Sequence, residues 1–394
     1  MRLFTMTVGT FAVLSMLALS ANATNSRVDS MAANGRVSVL DDTNIFALPA
    51  EVVKYGSWVS LDLGAGGDTS FGVHYNFNPT TVLALYGSNE KPTFIDDVAG
   101  QGVFQDAGAG NAGIDGGETH KFTAILGMDF GNSRLGILLG AHGDGAKTMD
   151  GDGNVQSNMG PMQIDLGIGY GMGLGSGDLD LALHAAYATI TQENNDGSLA
   201  DNSQIDIGLL GRLTMPFSGP HELVAWLGIA VKLPSGKVKD GNEVSGMHFG
   251  ADLGADVRLN LGDGITVQPG VGFMFAMESH NNGADPATET SSMTLAPYYH
   301  VAVDVAVNEW LDIRFGGSQM LTWSSNGSTT DGDNNGDSSS SDVAHSIATG
   351  VGFNLPAGVS IDVQVNTGWW KQGPYFLTGN AGDFGASAAI SKDW

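Results

Sequence analysis

The sequence predicts an all-β protein, a transmembrane antiparallel up-and-down β-barrel of about 16 strands that follows a cleaved signal peptide. Three observations predict it. From residue 57 onward, apolar residues recur at every second position in runs of roughly 9 to 13 residues. The connections between these runs alternate between short and long. The chain opens on a basic residue and an apolar stretch that ends in small residues, the mark of export.

Composition narrows the field in the same direction. The 394 residues include 58 Gly and no Cys, and 42 Asp plus Glu stand against 16 Lys plus Arg, a formal charge of −26. Hydrophobic residues make up 42%, too many for a disordered acidic chain. So acidic a chain is no binder of nucleic acid or anionic lipid, because neutralising phosphates takes clustered Lys and Arg. Without cysteine there are no thiolate zinc sites, disulfides or cysteine nucleophiles. Beyond the N-terminus no apolar stretch is long enough for a spanning helix.

Met1 and Arg2 precede the apolar stretch 3–19, and Ala21-Asn22-Ala23 has the small-x-small pattern of a cleavage site, so residues 1–23 read as a signal peptide. Residues 24–56 do not alternate. Asp41-Asp42-Thr43-Asn44, followed by 45–54 with Pro49, suits a short capped helix, and the segment reads as a periplasmic or lumen-inserted element ahead of a barrel formed by residues 57–394.

Within 162–172, Met162, Ile164, Leu166, Ile168, Tyr170 and Met172 take one face, while Gln163, Asp165 and three glycines take the other. The same split recurs in 204–215 and 248–261, and in runs at 121–130, 134–142, 178–189, 222–233, 265–275, 293–307, 311–321, 346–355, 359–367 and 384–394. Three shorter runs, 57–63, 71–77 and 81–86, bring the total to about 16, or 14 if two of them do not span.

Short connections fall at 131–133, 174–177, 216–220, 262–264, 308–309 and 356–358; long ones lie near 88–118, 143–160, 191–202, 234–247, 277–290, 323–343 and 369–382. A soluble sandwich has no reason to segregate its loops by length, whereas an outer-membrane barrel has short periplasmic turns and longer outer loops. Tyr170, Tyr187, Phe275, Trp310, Trp323, Trp369 and Trp370 at run ends would form interfacial girdles, and terminal Trp394 suits delivery to the barrel assembly machinery.

This register sends Asp129, Arg134, Asp165, Asp206, Arg212, Asp252, Asp256, Arg258, Asp304, Asp312 and Arg314 to the lumen, with Asp178, Asp180 and Asp362 beside them. They form either a selectivity ring or a paired network tying strands together; pairing is the plainer reading, because isolated charges in a narrow barrel are costly. The excess of acid makes an open lumen prefer cations. Inward glycines such as Gly136, Gly167, Gly169, Gly208 and Gly228 leave unfilled volume, or room for an inserted segment to approach the wall. His74, His142, His184, His248 and His300 also point inward, but no two share a ligand-type spacing on one strand, and they read as tolerated lumen residues.

The outer loop Asp331-Gly332-Asp333-Asn334-Asn335-Gly336-Asp337, with Asp342 beyond it, has the alternating oxygen donors of a calcium loop. The competing reading is a solvated acidic loop with diffusely held divalent ions. No other cofactor is implied. There is no nucleophile elbow, zinc-protease helix or phosphate loop, and outward His345 is followed by inward Ser346, unlike barrel hydrolases that place both on the lipid face, so no enzyme is expected.

Signal peptide, alternating strands, loop asymmetry and Trp394 together resemble a Gram-negative outer-membrane β-barrel of the porin type. A further likeness is to the FadL-like fatty-acid transporter family, carried by Asp41-Asp42-Thr43-Asn44-Ile45-Phe46-Ala47-Leu48-Pro49-Ala50, which keeps that family's Pro-Ala but has Leu48 where it has Asn. The resemblance implies that the segment before residue 57 is a lumen plug. The expected function is passage of small solutes through a cation-preferring porin-like channel. The alternatives are a plugged transporter of hydrophobic compounds and a closed structural or adhesion barrel. The expected partners are outer-membrane lipid and lipopolysaccharide, the assembly machinery and small solutes, with no nucleic acid.

Overall fold

In the computed structural model the described residues are 42–63, 69–88, 120–143, 146–149, 155–194, 199–237, 243–262, 264–281, 288–330, 333–356, 358–365 and 386–393. The expected signal peptide and Trp369, Trp370 and Trp394 lie outside them. Two 3-10 turns, Asp42–Phe46 and Pro49–Lys54, precede the strands.

The strands are β1 (Trp58–Leu63), β2 (Thr69–Asn78), β3 (Thr81–Ser88), β4 (His120–Asp129), β5 (Ser133–Gly143), β6 (Ala146–Met149), β7 (Val155–Leu174), β8 (Gly177–Asn194) and β9 (Leu199–Ser218). They continue with β10 (His221–Lys237), β11 (Glu243–Asn260), β12 (Ile265–Asn281), β13 (Thr288–Asn308), β14 (Leu311–Thr330), β15 (Asp333–Leu355), β16 (Val359–Val365) and β17 (Ala386–Asp393). Each pairs antiparallel with its neighbours in chain order, and β1 closes the sheet against β17. Since β6 only prolongs β5 along β7, the barrel has 16 staves. The three short early runs all span, which settles the count above 14.

The connections 79–80, 130–132, 175–176, 219–220, 261–264, 309–310 and 356–358 lie at one end, with the start of β1 and the end of β17. Gly131, Gly175, Gly219, Gly262, Gly264 and Gly358 sit in these turns at positive φ, a region that a side chain disfavours. At the opposite end the strands run further than the alternation indicated. Residues expected in long connections near 143–160, 191–202, 234–247, 277–290 and 323–343 largely belong to β6 through β15. The reason is physical: hydrophobic alternation records where lipid touches the outer face, whereas the backbone ladder can continue into water with polar residues on both faces.

The outer face is an apolar belt. Ile164, Leu166, Ile168, Ile205, Ile207 and Leu209 are all exposed, although a soluble protein buries such residues. Exposed Phe77, Phe130, Phe217 and Trp310 ring the short-turn end; Phe71, Phe122, Tyr187 and Trp323 ring the other. The pairing of β1 with β17 closes the described strands into one ring, and ring closure is how a β-structure satisfies its backbone in a bilayer.

Ile168 lies mid-strand on the lipid face, so Ile168→Arg is expected to lower folding stability by about 2–4 kcal/mol. Reversible denaturant unfolding in lipid vesicles measures this.

Candidate functional site

Residues 42–55 lie inside the barrel. Pro49 opens the second 3-10 turn, where its fixed φ fits and its missing N–H costs nothing. Short backbone bonds hold the segment: Leu48 N–H to the Asn44 carbonyl (2.7 Å), Glu51 N–H to that of Leu48 (2.9 Å) and Tyr55 N–H to that of Val52 (3.1 Å). The turns bring Ile45, Leu48 and Val52, all fully buried, against the wall. Ile45 and Val52 pack with Val82, Ala84, Tyr86, Ile125 and Leu138 on β3, β4 and β5. Leu48 packs with Ala182, Leu210 and Ala230 on β8, β9 and β10.

The wall is shaped to receive this segment. Val82, Gly127, Gly136, Gly169 and Ala182 stand in one register row across β3, β4, β5, β7 and β8. A Cβ at Gly136 would collide with the Pro49 carbonyl, one at Gly127 with Val52, and one at Gly169 would stand 2.6 Å from the Ala50 nitrogen. The plug backbone therefore occupies the space that these three missing side chains leave.

The adjacent inward row, nearer the short turns, is charged: Asp129, Arg134, Gly171, Asp180 and Arg212 are aligned across β4 to β9. A Cβ at Gly171 would stand 2.9 Å from the Arg134 guanidinium, so this glycine lets Arg134 reach across β7 to Asp180 at 3.0 Å. Arg212 donates to Asp180 at 3.0 Å and to Glu51 of the plug at 2.9 Å. Arg134 lies 3.5 Å from Glu51, and Lys54 lies 2.7 Å from Glu51 and 3.5 Å from Asp178. Three cations thus meet three carboxylates, with Arg212 and Glu51 almost wholly buried. Burial alone would raise the Glu51 carboxyl, yet Arg212, then Lys54 and Arg134, hold it down at about 2.

Two inward histidines bind the plug's backbone. The His184 Nε2–H donates to the Ala47 carbonyl at 2.7 Å. His74 Nδ1–H donates to the Tyr55 carbonyl, which leaves its Nε2 to accept from the Tyr86 hydroxyl at 2.7 Å.

The other predicted lumen residues have partners on the wall. Asp252 accepts from the Trp226 indole (3.1 Å) and the Tyr298 hydroxyl (2.9 Å). Asp256 meets His300 at 2.9 Å and Gln268 at 2.7 Å. Arg314 joins Asp304, Asp312 and Asp362. Arg258 pairs with Glu222, Asp165 and Asp206 accept from Gln163 and Gln204, and Asp129 accepts the Gly131 N–H of its own turn. His248 lies 3.1 Å from Glu278, and nothing is described of the His142 side chain.

Of the candidate calcium residues, Asp331 lies outside the described residues, Asp333 and Asn335 have extended backbone at the start of β15, and Asp337 and Asp342 are exposed further along it. Among the described residues no group of three metal-ligating side chains converges.

Glu51, Lys54 and Leu210 complete the site without having been singled out in the sequence, and Leu48 stands out there only as a departure from the FadL-like element. A signal existed: Val82–Tyr86 is apolar on both faces and Leu209–Leu210 breaks the alternation, as strands do where the lumen side is also covered by protein.

No protein family and no curated protein matches the chain. Among solved structures it is similar to the Pseudomonas putida toluene transporter TodX, with 9% identity and a TM-score of 0.43 over 96% of this chain and 100% of that one. It is also similar to the alcaligin outer-membrane receptor FauA from Bordetella pertussis, with 7% identity and a TM-score of 0.43 over 86% and 75%. At such overlap and identity, assignment rests on the barrel's own geometry: an even, closed antiparallel ring with an apolar outer belt, aromatic girdles and a polar inside. The chain is an outer-membrane β-barrel. Its exposed apolar belt is the surface that meets membrane lipid.

Three outcomes are expected for the plug, read by hydrogen exchange of residues 42–55. Gly136→Val should abolish protection there while the strands stay protected. Arg212→Ala leaves Glu51 and Asp180 buried without their main partner and should destabilise the docked state by about 3–5 kcal/mol. Because docking lowers the Glu51 carboxyl, its stabilising effect is complete above the ordinary value of 4.5 and is lost as pH falls toward about 2. Plug protection should therefore weaken in that window and not on the alkaline side.

Proposed function

We propose that this barrel is a plug-gated channel for small solutes, with residues 42–55 as the plug. The observation that carries this reading is the burial of Glu51 between Arg212 and Arg134 inside the lumen. An open porin needs no such element, and a purely structural barrel gains little from a separate segment whose buried charge depends on one carboxylate meeting the wall's arginines.

For the cargo, the wall beneath the plug supports sparingly polar compounds. Displacing residues 45–52 would uncover Val82, Ala84, Tyr86, Ile125 and Leu138, a continuous apolar strip on β3, β4 and β5. A solute replacing Ile45 and Val52 there keeps that surface out of water. Ion flow through an opened barrel is a separate property: the described lumen carboxylates outnumber the lumen Arg and Lys, so leakage should favour cations.

Planar-bilayer conductance tests the gate. The full chain should be silent, and a chain lacking 42–55 should give ohmic steps with a reversal potential on the cation side. Equal, large conductance in both would contradict the proposal.

A further inference from the structure

The lipid-facing wall of β13, β14 and β15 contains a hydrogen-bonding island. Tyr299, Gln319 and His345 stand side by side in one outward register row, and the Tyr299 hydroxyl donates to the Gln319 amide oxygen. The row is not at the water boundary. On β14, outward Phe315 lies toward the turns, and Leu321 and Trp323 lie beyond Gln319; on β15, Ile347 and Val343 flank His345. All five are lipid-exposed apolar residues, and Trp323 belongs to the outer girdle.

Among the described residues, the Gln319 amide N–H groups and the His345 ring have no partner. Hydrocarbon offers them none, so they sit at a cost unless another protein surface covers them. The neighbouring outward position is Gly317, where an added Cβ would meet only a backbone oxygen at 3.7 Å. The surface is therefore low beside the island, which permits a second wall to approach closely.

We infer that this face is where two copies of the chain meet in the membrane. The chemistry selects a second copy. The island carries both free donors, on the Gln319 amide, and free acceptor capacity, on the imidazole and the phenolic oxygen. Two such islands related by a two-fold axis satisfy each other, the self-complementarity that an isologous interface requires. The inference does not depend on the plug or on transport.

The absence of cysteine makes the test direct. A single Ile347→Cys reporter, treated in native membranes with an oxidant and with a short bis-maleimide, should give a band at twice the monomer mass. Leu166→Cys, on β7 across the barrel, should stay monomeric. Adding Gln319→Leu and His345→Leu to the reporter should remove the dimer band, with heat-modifiable gel mobility showing that the barrel is still folded. No dimer from Ile347→Cys, an equal yield from Leu166→Cys, or a dimer that survives the leucine pair in a folded barrel would each overturn the inference, and the first result would point instead to lipopolysaccharide as the covering partner.

Discussion

Placing the carboxylate of Glu51 inside a membrane barrel obliges the wall to surround it with cations, and the construction of the lumen near β4 to β9 follows from that obligation. Arg212 and Arg134 supply the charge, and both are themselves costly to bury without acid. Asp180 lies between them and accepts from each. Arg134 reaches Asp180 only because β7 has glycine at 171, in the row between them. One buried charge on the plug thus fixes residue types on four strands.

The plug's backbone imposes a second, steric condition on the next row. Pro49 and Ala50 press against positions 136 and 169, where only glycine leaves room. The high glycine content is therefore not uniform looseness: part of it is negative space shaped to one segment, and part is the turn geometry at positive φ. The far wall uses the same device differently, with Trp226 lying over Gly254 and Tyr298 over Gly272 while both bond Asp252. In both places a group that needs room is matched by a missing side chain on the strand beside it.

Much of the fold is legible in the sequence because lipid enforces a strict period of two. Met162 to Met172 could be assigned face by face, and turn glycines mark the short-turn end. Strand ends were not legible, since β14 and β15 pair on through serines and threonines that carry no hydrophobic signal. The charged site was half legible: Arg134, Arg212 and Asp180 could be sent inward by parity. Their partner Glu51 could not be paired with them, because the plug's docking depends on shape rather than on a spacing. The double-sided apolar run at Val82–Tyr86 was the local trace of that docking.

The central claim is that the segment around Leu48 occupies the lumen against β8 and β9 in the native membrane. Intramolecular disulfide formation in a Leu48→Cys and Ala182→Cys double variant, mapped by peptide mass in intact cells, tests it most directly. The account predicts efficient cross-linking of this pair and none when Leu48→Cys is combined with Ala302→Cys on β13. No cross-link between 48 and 182, or equal cross-linking to both walls, would contradict it.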